Sequence, residues 1–520
     1  MKRRDFLRSS GLMTLPVMLG KFSVASVVSP LMDRSIFGLN DKILVLIQLK
    51  GGNDTLNTVI PVEYYDNLAK VRGNIVIPEK KILQLTDATG LHPSLQQLMD
   101  LWDGGRMSVI QSVGYPNQNR SHFRSTDIWH TASDADEYLT TGWLGRYFTG
   151  EYPDYPEGYP NASYPHPFAI TIGSQASETC QGVVSNFSIA INGTRGIGEL
   201  FEGEWDEVPD NCYGQELQYV RQLVRQTNAY ASVIEEAFEK GKNISDKYDD
   251  DNRLAQQLKI VAQLISGGLK TSVYVVSLGG FDTHSGQVEA DDTTMGTHAT
   301  LLNRLANAVN AFMDDILRMG YGDRVLALTY SEFGRRIIAN ASNGTDHGDA
   351  LALFAFGECV EPGIIGVNPE IPSNPSKGES VPMQYDFRAV YSTVFTEWFD
   401  VPEDTVQNIL FGSYGSVPFI RGCLSTNISD KVPAHRIALE VSPNPSDGVV
   451  HIQIPTGLRE DQLRVQVFNE YGRIAAMQVA DLRRSASGTH MLDLRHLPAG
   501  VYFIQVQTPQ WSGTKRIVLQ

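Results

Sequence analysis

A run of apolar, β-branched and aromatic residues, Val325–Tyr330, stops abruptly at Ser331-Glu332-Phe333-Gly334-Arg335-Arg336. That break constrains the fold more than any other feature of the chain. A short continuous apolar run predicts a strand buried on both faces, as in a parallel sheet with helices on either side. The pattern recurs at Lys42–Leu49, which ends in Lys50–Asn57, at Arg106–Val113, which leads into Gly114–Arg124, and at Thr271–Leu278, which ends in Gly279–Ser285. Helical periodicity over Gln215–Glu239 and Arg253–Leu269 supplies covering elements. The expected class is α/β, a doubly wound and mostly parallel sheet. In such sheets ligands bind beyond the carboxyl ends of the strands, so the polar residues there are the candidate functional groups.

Asp54 follows the first run, Asp282 and His284 the third, and Glu332 the fourth. Asp282 and His284 are two apart, so in extended backbone they project to one side and can grip one ion together. Beyond Glu332, the loop Gly344–Gly348 pairs Asp346 with His347, and its glycines permit tight backbone geometry. Ser121 stands where a helix is expected to begin, facing unsatisfied backbone N–H groups with Arg120 and Arg124 beside it, a setting for an anionic group. Each residue also has a plainer reading. Asp54 with Thr55 suits an Asn-Asp turn capping a helix, Ser121 suits an ordinary N-cap, and His122 suits a hydrogen-bonded structural residue. Convergence on one sheet edge carries the argument. Mixed carboxylate and imidazole ligands favour zinc, manganese or iron over calcium, which remains the alternative divalent ion.

Composition narrows the partners. With 520 residues and a net charge of -16, at a pI of about 5.2, the chain lacks the general basic footprint of a nucleic-acid binder. A local basic pocket for an anionic ester is compatible with that balance, and Arg120 and Arg335 are the candidates to clamp it. The four cysteines, Cys180, Cys212, Cys359 and Cys423, are widely spaced with no C-x-x-C pair, which argues against a zinc ribbon or redox dithiol. One or two disulfides fit an exported protein. The repeated Tyr-Pro pairs in residues 149–168 predict an extended surface loop. The acidic stretch Asp246–Asp251 lacks the spaced ligands and glycine of an EF-hand, so a solvated loop or helix cap is expected there.

The motifs Gly51–Asn57, Arg120–Phe123, Gly280–His284, Ser331–Arg335 and Asp346–Gly348 occur in one order, and through them residues 40–425 resemble the bacterial family DUF1501. That family resembles the alkaline phosphatase and sulfatase superfamily, which implies a one- or two-metal site hydrolysing phosphate or sulfate esters. Carried over by motif, Ser121 would be the nucleophile, with Arg120, His122 and Arg335 completing the catalytic group. Asp282, His284 and His347, with Asp346, would form one metal shell, and Glu332 would serve a second metal beside Asp54. The chain departs from the superfamily pattern at Ser331-Glu332-Phe333, where Ser-Asp-His is usual, and it lacks the C-x-P-x-R motif of formylglycine sulfatases. The implied substrate is an anionic ester, of which a sulfated or phosphorylated glycan is one form. A non-catalytic surface protein of the same fold, binding glycan or a protein partner, is the competing class.

The ends of the chain speak of export. Met1–Arg8 sets paired arginines ahead of the apolar Gly11–Gly20, and residues 1–30 resemble a twin-arginine signal peptide, with a Sec-type signal or an N-terminal anchor as the alternative. No later stretch is apolar for long enough to span a bilayer, so the mature protein is expected to have no transmembrane span. After a linker at 426–437, residues 438–520 read as short alternating strands at Val449–Ile454, Leu463–Asn469, His490–Leu494 and Val501–Thr508, a small all-β sandwich. Ser442–Gly448, Asn469–Arg473, Leu497–Phe503 and Lys515–Leu519 resemble the C-terminal sorting domain of type IX secretion cargo. The resemblance implies recognition by that secretion machinery and passage through the periplasm to the cell surface or medium.

Overall fold

Alternation along strand β1 (Ile43–Lys50) divides the molecule into layers. Ile43, Val45, Ile47 and Leu49 belong to one apolar core cluster, while Leu44 and Leu46 belong to another on the opposite face. A period of two in a run without polar interruptions leaves no face for water, so both faces need covering. Helices supply that cover on either side. Helix α3 (Cys212–Lys240), α4 (Arg253–Ser266) and α5 (Thr297–Arg318) contribute to the first cluster. Helix α1 (His122–Thr131), α2 (Trp143–Glu151) and α6 (Phe387–Thr393) contribute to the second.

This computed structural model describes residues 41–192, 212–422, 440–453, 463–469, 474–480, 489–507 and 512–520. Residues 1–30, expected as a signal peptide, and 426–437, expected as a linker, lie outside the described residues. Two compact units divide the chain.

In the larger unit, β1 is joined by β2 (Met107–Gly114), β3 (Ala169–Ile172), β4 (Ser188–Ile191), β5 (Val273–Gly279) and β6 (Val325–Tyr330). A two-stranded ribbon follows, β7 (Arg335–Ala339) and β8 (Thr345–His347), and then β9 (Leu351–Phe356), β10 (Gly363–Ile365) and β11 (Tyr385–Asp386). The nine-stranded sheet runs β10-β2-β9-β6-β1-β5-β3-β4, with β11 alongside β2. Only β9 is antiparallel to its neighbours. The class is therefore α/β with a mostly parallel sheet, as the apolar runs require. Parallel register sets Gln48 opposite Tyr330 and Lys50 opposite Gly279, so the tips of β6, β1 and β5 lie side by side.

The Tyr-Pro segment departs from expectation. It has no strand, but Tyr152 and Tyr155 are buried, packed with Phe168 at 4.1 Å and Phe187 at 4.2 Å between ring centroids respectively. Proline excludes regular structure there, yet the Tyr152 and Tyr155 rings add apolar area to the core while Tyr164 stays exposed.

The smaller unit has two antiparallel sheets. One comprises β12 (Glu440–Ser442), β13 (Val449–Gln453) and β16 (Thr489–Asp493). The other comprises β14 (Leu463–Asn469), β15 (Ile474–Ala480), β17 (Gly500–Gln507) and β18 (Ser512–Leu519). Val450, Ile452 and Leu492 from the first sheet share one core with Val465, Ile504 and Ile517 from the second, the packing of a β-sandwich.

Candidate metal centre

Three strand tips meet around Arg335. Its guanidinium, buried between them, donates to the carbonyl oxygens of Gly51, Gly52, Phe281 and Thr345 and to Asp282 Oδ1 at 2.8 Å. So close an approach of backbones needs glycine. At Gly51, with φ of +124°, an added Cβ would lie 2.3 Å from the Asp282 nitrogen, and at Gly52, with φ of +78°, it would meet the Phe333 ring.

Asp282 Oδ1 lies 3.1 Å from His347 Nε2 and 3.2 Å from His284 Nε2, and those two nitrogens are 2.8 Å apart. Asp282 Oδ2 lies 3.3 Å from His122 Nε2. The opposite nitrogen of each ring fixes its tautomer. His347 Nδ1 is 2.8 Å from the Arg120 carbonyl oxygen, which can only accept, so Nδ1 carries the proton. His122 Nδ1 faces Glu332 Oε1 at 2.8 Å, and His284 Nδ1 faces Asp346 Oδ1 at 3.3 Å. With each Nδ1 donating to an acceptor, the Nε2 lone pairs of all three imidazoles point toward the Asp282 carboxylate.

That donor set fits a transition-metal ion. Two unprotonated nitrogens 2.8 Å apart repel unless a cation or proton lies between them. His122 Nε2 is buried and makes no hydrogen bond among the described residues, with Asp282 Oδ2 3.3 Å away. Tetrahedral ligation at about 2.0–2.1 Å sets donor atoms roughly 3.3 Å apart, close to the separations of Asp282 from the three imidazoles, and the donor atoms of His122, Asp282 and His347 all lie within 4.8 Å of one another. The electrostatics agree. Burial works against the Asp282 charge, but the hydrogen bond and charge of the Arg335 guanidinium outweigh it and hold the carboxyl below its ordinary range. Burial lowers the pKa of His347, keeping it neutral, while the hydrogen bond to Glu332 raises that of His122, a field that favours any cation at Nε2. The rim is open: the side chains of Asp282 and His284 are each 45% exposed.

The other predicted residues are placed differently. Glu332 is buried, and its Oε1 accepts from the Gly51 N–H at 2.9 Å as well as from His122, so it orients a ligand instead of facing the donor group. Asp346 stands behind His284 in the same way. Asp54 is not brought into the cluster. Fully buried, it pairs with Arg72 Nη1 at 2.9 and 2.7 Å and accepts from Gln287 Nε2 at 2.6 Å. Burial alone would raise its pKa; the Arg72 guanidinium more than offsets this and lowers it. Arg120 is bound to Asp349 through Nε at 2.8 Å and Nη2 at 3.0 Å. Arg120 is thus held by Asp349 and by Ser380 Oγ at 3.0 Å, and Arg335 is saturated by four carbonyls and Asp282. Ser121 is exposed at the start of α1 and its side chain makes no capping bond. Both its chain neighbours touch the cluster, Arg120 through its carbonyl and His122 through Nε2.

Sequence reasoning missed Arg72, Gln287 and Arg336. Gln287 accepts from Thr283 and Thr345 as well as donating to Asp54, tying the two ligand-bearing loops to the Asp54 pair. Arg336 directly follows the Ser331–Arg335 motif, whereas no motif marks Arg72 or Gln287. Among the cysteines, Cys359 is disulfide-bonded and Cys180 is free and buried.

Residues 235–389 match the family model "Protein of unknown function (DUF1501)", and residues 440–520 match "Secretion system C-terminal sorting domain". The chain carries both domains. The DUF1501 segment holds Asp282, His284, Glu332, Asp346 and His347, while Asp54, Ser121 and His122 precede it. The type IX sorting domain indicates export to the cell surface or outside and interaction with the secretion machinery. Among the described residues no helix is long and apolar enough to cross a membrane. No curated protein matches the chain. Among solved structures, a biofilm-associated protein BSP domain is 16% identical over 16% of this chain, with a TM-score of 0.14. PorZ of Porphyromonas gingivalis is 22% identical over 16% of this chain, with a TM-score of 0.11. The chain spans 14% and 11% of the lengths of those two proteins. The PsFucS1 sulfatase from Pseudoalteromonas sp. is 8% identical and covers 90% of this chain and 83% of its own, with a TM-score of 0.28. Likenesses this distant add no argument about activity.

Proposed function

We propose that this chain is an exported metal-dependent hydrolase of sulfate or phosphate esters. One observation carries the reading: the Nε2 atoms of His122, His284 and His347 converge on the Asp282 carboxylate while each Nδ1 is held by an acceptor. A divalent ion bound there, zinc or manganese by its donors, would polarise an ester oxygen and stabilise charge on the transferred group. With Asp54 and Glu332 engaged elsewhere, a single ion is the proposed complement. The motif resemblance to the alkaline phosphatase and sulfatase superfamily supports ester hydrolysis over other metal chemistry.

The chain's own residues divide the remaining work. Glu332, Asp346 and the Arg120 carbonyl keep protons on Nδ1 and so keep the Nε2 lone pairs free. Arg335 keeps Asp282 ionised. Ser121, exposed and next to the cluster, presents its hydroxyl as the nucleophile. The anion clamp is Arg336 in place of Arg335 or Arg120. Its contacts are long, Nε to the His347 carbonyl oxygen at 3.3 Å and Nη1 to Asp346 at 3.4 Å, so it can turn to a bound oxyanion.

The test is metal content of the purified protein by mass spectrometry, wild type against a His284→Ala/His347→Ala double variant, with turnover of 4-nitrophenyl sulfate and phosphate. About one equivalent of transition metal, lost in the variant, and turnover by the loaded wild type alone are expected. No metal in either protein after incubation with zinc, manganese and calcium would overturn the reading. Metal without turnover of either ester would turn it toward a non-catalytic surface protein with a structural ion.

A further inference from the structure

Phe123 is 89% exposed, the most exposed large apolar side chain among the described residues. It is also rigidly mounted. In the first turn of α1 it lies between His122, fastened to Glu332, and Arg124, whose guanidinium is buried against the carbonyls of Asp134 and Ala135. Two residues on, the Ser125 hydroxyl bonds to the Glu332 carbonyl and to Tyr115 Oη, the latter at 2.7 Å. His122, Arg124 and Ser125 are thus tied inward, and among the described residues no aromatic or cationic group stacks on the Phe123 ring. Tyr138, also exposed, differs in having the Arg124 guanidinium 4.0 Å above its ring.

We propose that Phe123 is a specificity-determining residue whose ring face takes the ring of the ester's non-transferred part, aromatic or pyranose. The inference rests on the hydrolase reading for the location of the reacting group. The cluster is closed from beneath by Phe333, 4.9 Å from the His122 ring and 4.4 Å from the His347 ring, so an ester whose anion sits there leaves its remaining atoms on the open side, and Phe123 is the exposed ring that directly follows His122 and stands two residues from Ser121. An aromatic face held there is costly in water and complementary to another ring. Fixed backbone means the platform is already in position when the ester arrives.

The test uses the metal-loaded full chain and two pairs of probes, 4-nitrophenyl and methyl sulfate, and 4-nitrophenyl and methyl phosphate. Phe123→Ala is expected to lower the kcat/KM preference for nitrophenyl over methyl ester by about threefold to tenfold, mostly through KM, and Phe123→Trp to restore it. Phe411→Ala, which removes an exposed phenylalanine on another element, should leave the preference unchanged. An unchanged preference in Phe123→Ala, or an equal loss on both members of a pair, overturns the platform. Calorimetric titration with 4-nitrophenyl sulfate separates the two readings. Binding by wild type that weakens in Phe123→Ala, without turnover of any ester, would sink the hydrolase reading and leave the platform standing. Binding that is absent in wild type or equal in both proteins sinks the platform whatever the turnover.

Discussion

Asp54 and Asp282 leave adjacent parallel strands at the same end of the sheet, and their surroundings could hardly differ more. Around Asp54 every contact is a donor: the Arg72 guanidinium and the Gln287 amide occupy its oxygens with no exposed surface left. Asp282 keeps one guanidinium, that of Arg335, but its other neighbours are imidazole nitrogens carrying lone pairs, and nearly half its side chain is open. A carboxylate whose charge is already neutralised by fixed donors holds structure. One that shares its space with other lone pairs still needs a cation. Position at a strand tip locates a candidate ligand; the sign of its neighbours decides whether it is one.

The sharpest way to break this comparison is to remove the partner of the buried carboxylate. Arg72→Ala leaves Asp54 charged and unpaired in the interior and should cost about 3–5 kcal/mol in denaturant unfolding of the metal-free protein. Asp282→Ala should cost under about 1 kcal/mol in the same assay, because its pair is exposed on the carboxylate side, yet abolish metal binding. Equal stability losses, or metal retained without Asp282, would erase the distinction. A smaller effect is expected one bond further out. Glu332→Gln and Asp346→Asn should weaken metal affinity by about 10–100-fold while leaving the saturated stoichiometry unchanged, since these residues orient ligands. Were Glu332 a ligand of a second ion beside Asp54, Glu332→Gln would instead remove one equivalent, and metal titration separates the two outcomes.

Much of this was legible in the sequence, and the division has a physical cause. Apolar runs at Ile43–Lys50, Val273–Gly279 and Val325–Tyr330 announce central strands because burial on both faces tolerates few polar residues, and parallel order then brings Asp282, His284 and Glu332 to one edge. The Asp346–His347 pair was legible for the same reason. Roles within the edge were less so. His122 is read from sequence as a catalytic or structural residue, and only its distance to Asp282 brings it among the ligands. Arg335, marked as an anion clamp, is consumed by four carbonyls and Asp282, and Asp54 is met by an arginine from the end of a separate short helix, Tyr65–Val71. Which donors saturate a given carboxylate depends on contacts between segments far apart in the chain, and neither spacing nor periodicity records those contacts.

The Asp54 side of the comparison makes one further and weaker demand, on pH. His298, fully buried, sets Nε2 2.9 Å from Asn53 Oδ1, on the residue before Asp54. Burial holds its pKa down at about 4, with the Asp54 charge opposing and the Arg335 and Arg72 charges assisting. The folded state therefore binds this proton less readily than the unfolded chain, whose histidine titrates near 6.5. The stability His298 contributes is fully present above about pH 6.5 and is lost as pH falls from there toward about 4. Between pH 7 and pH 6 that amounts to roughly 1 kcal/mol or less. Other histidines titrate in the same window, so the measurement is a difference: unfolding of the metal-free protein at pH 7, 6 and 5, wild type against His298→Gln, which keeps a donor toward Asn53 but cannot titrate. A shallower decline in the variant locates the proton at His298. Parallel declines would mean that the imidazole is reached by water and charges in the folded state, and that the buried side of this sheet edge is not sealed as its contacts require.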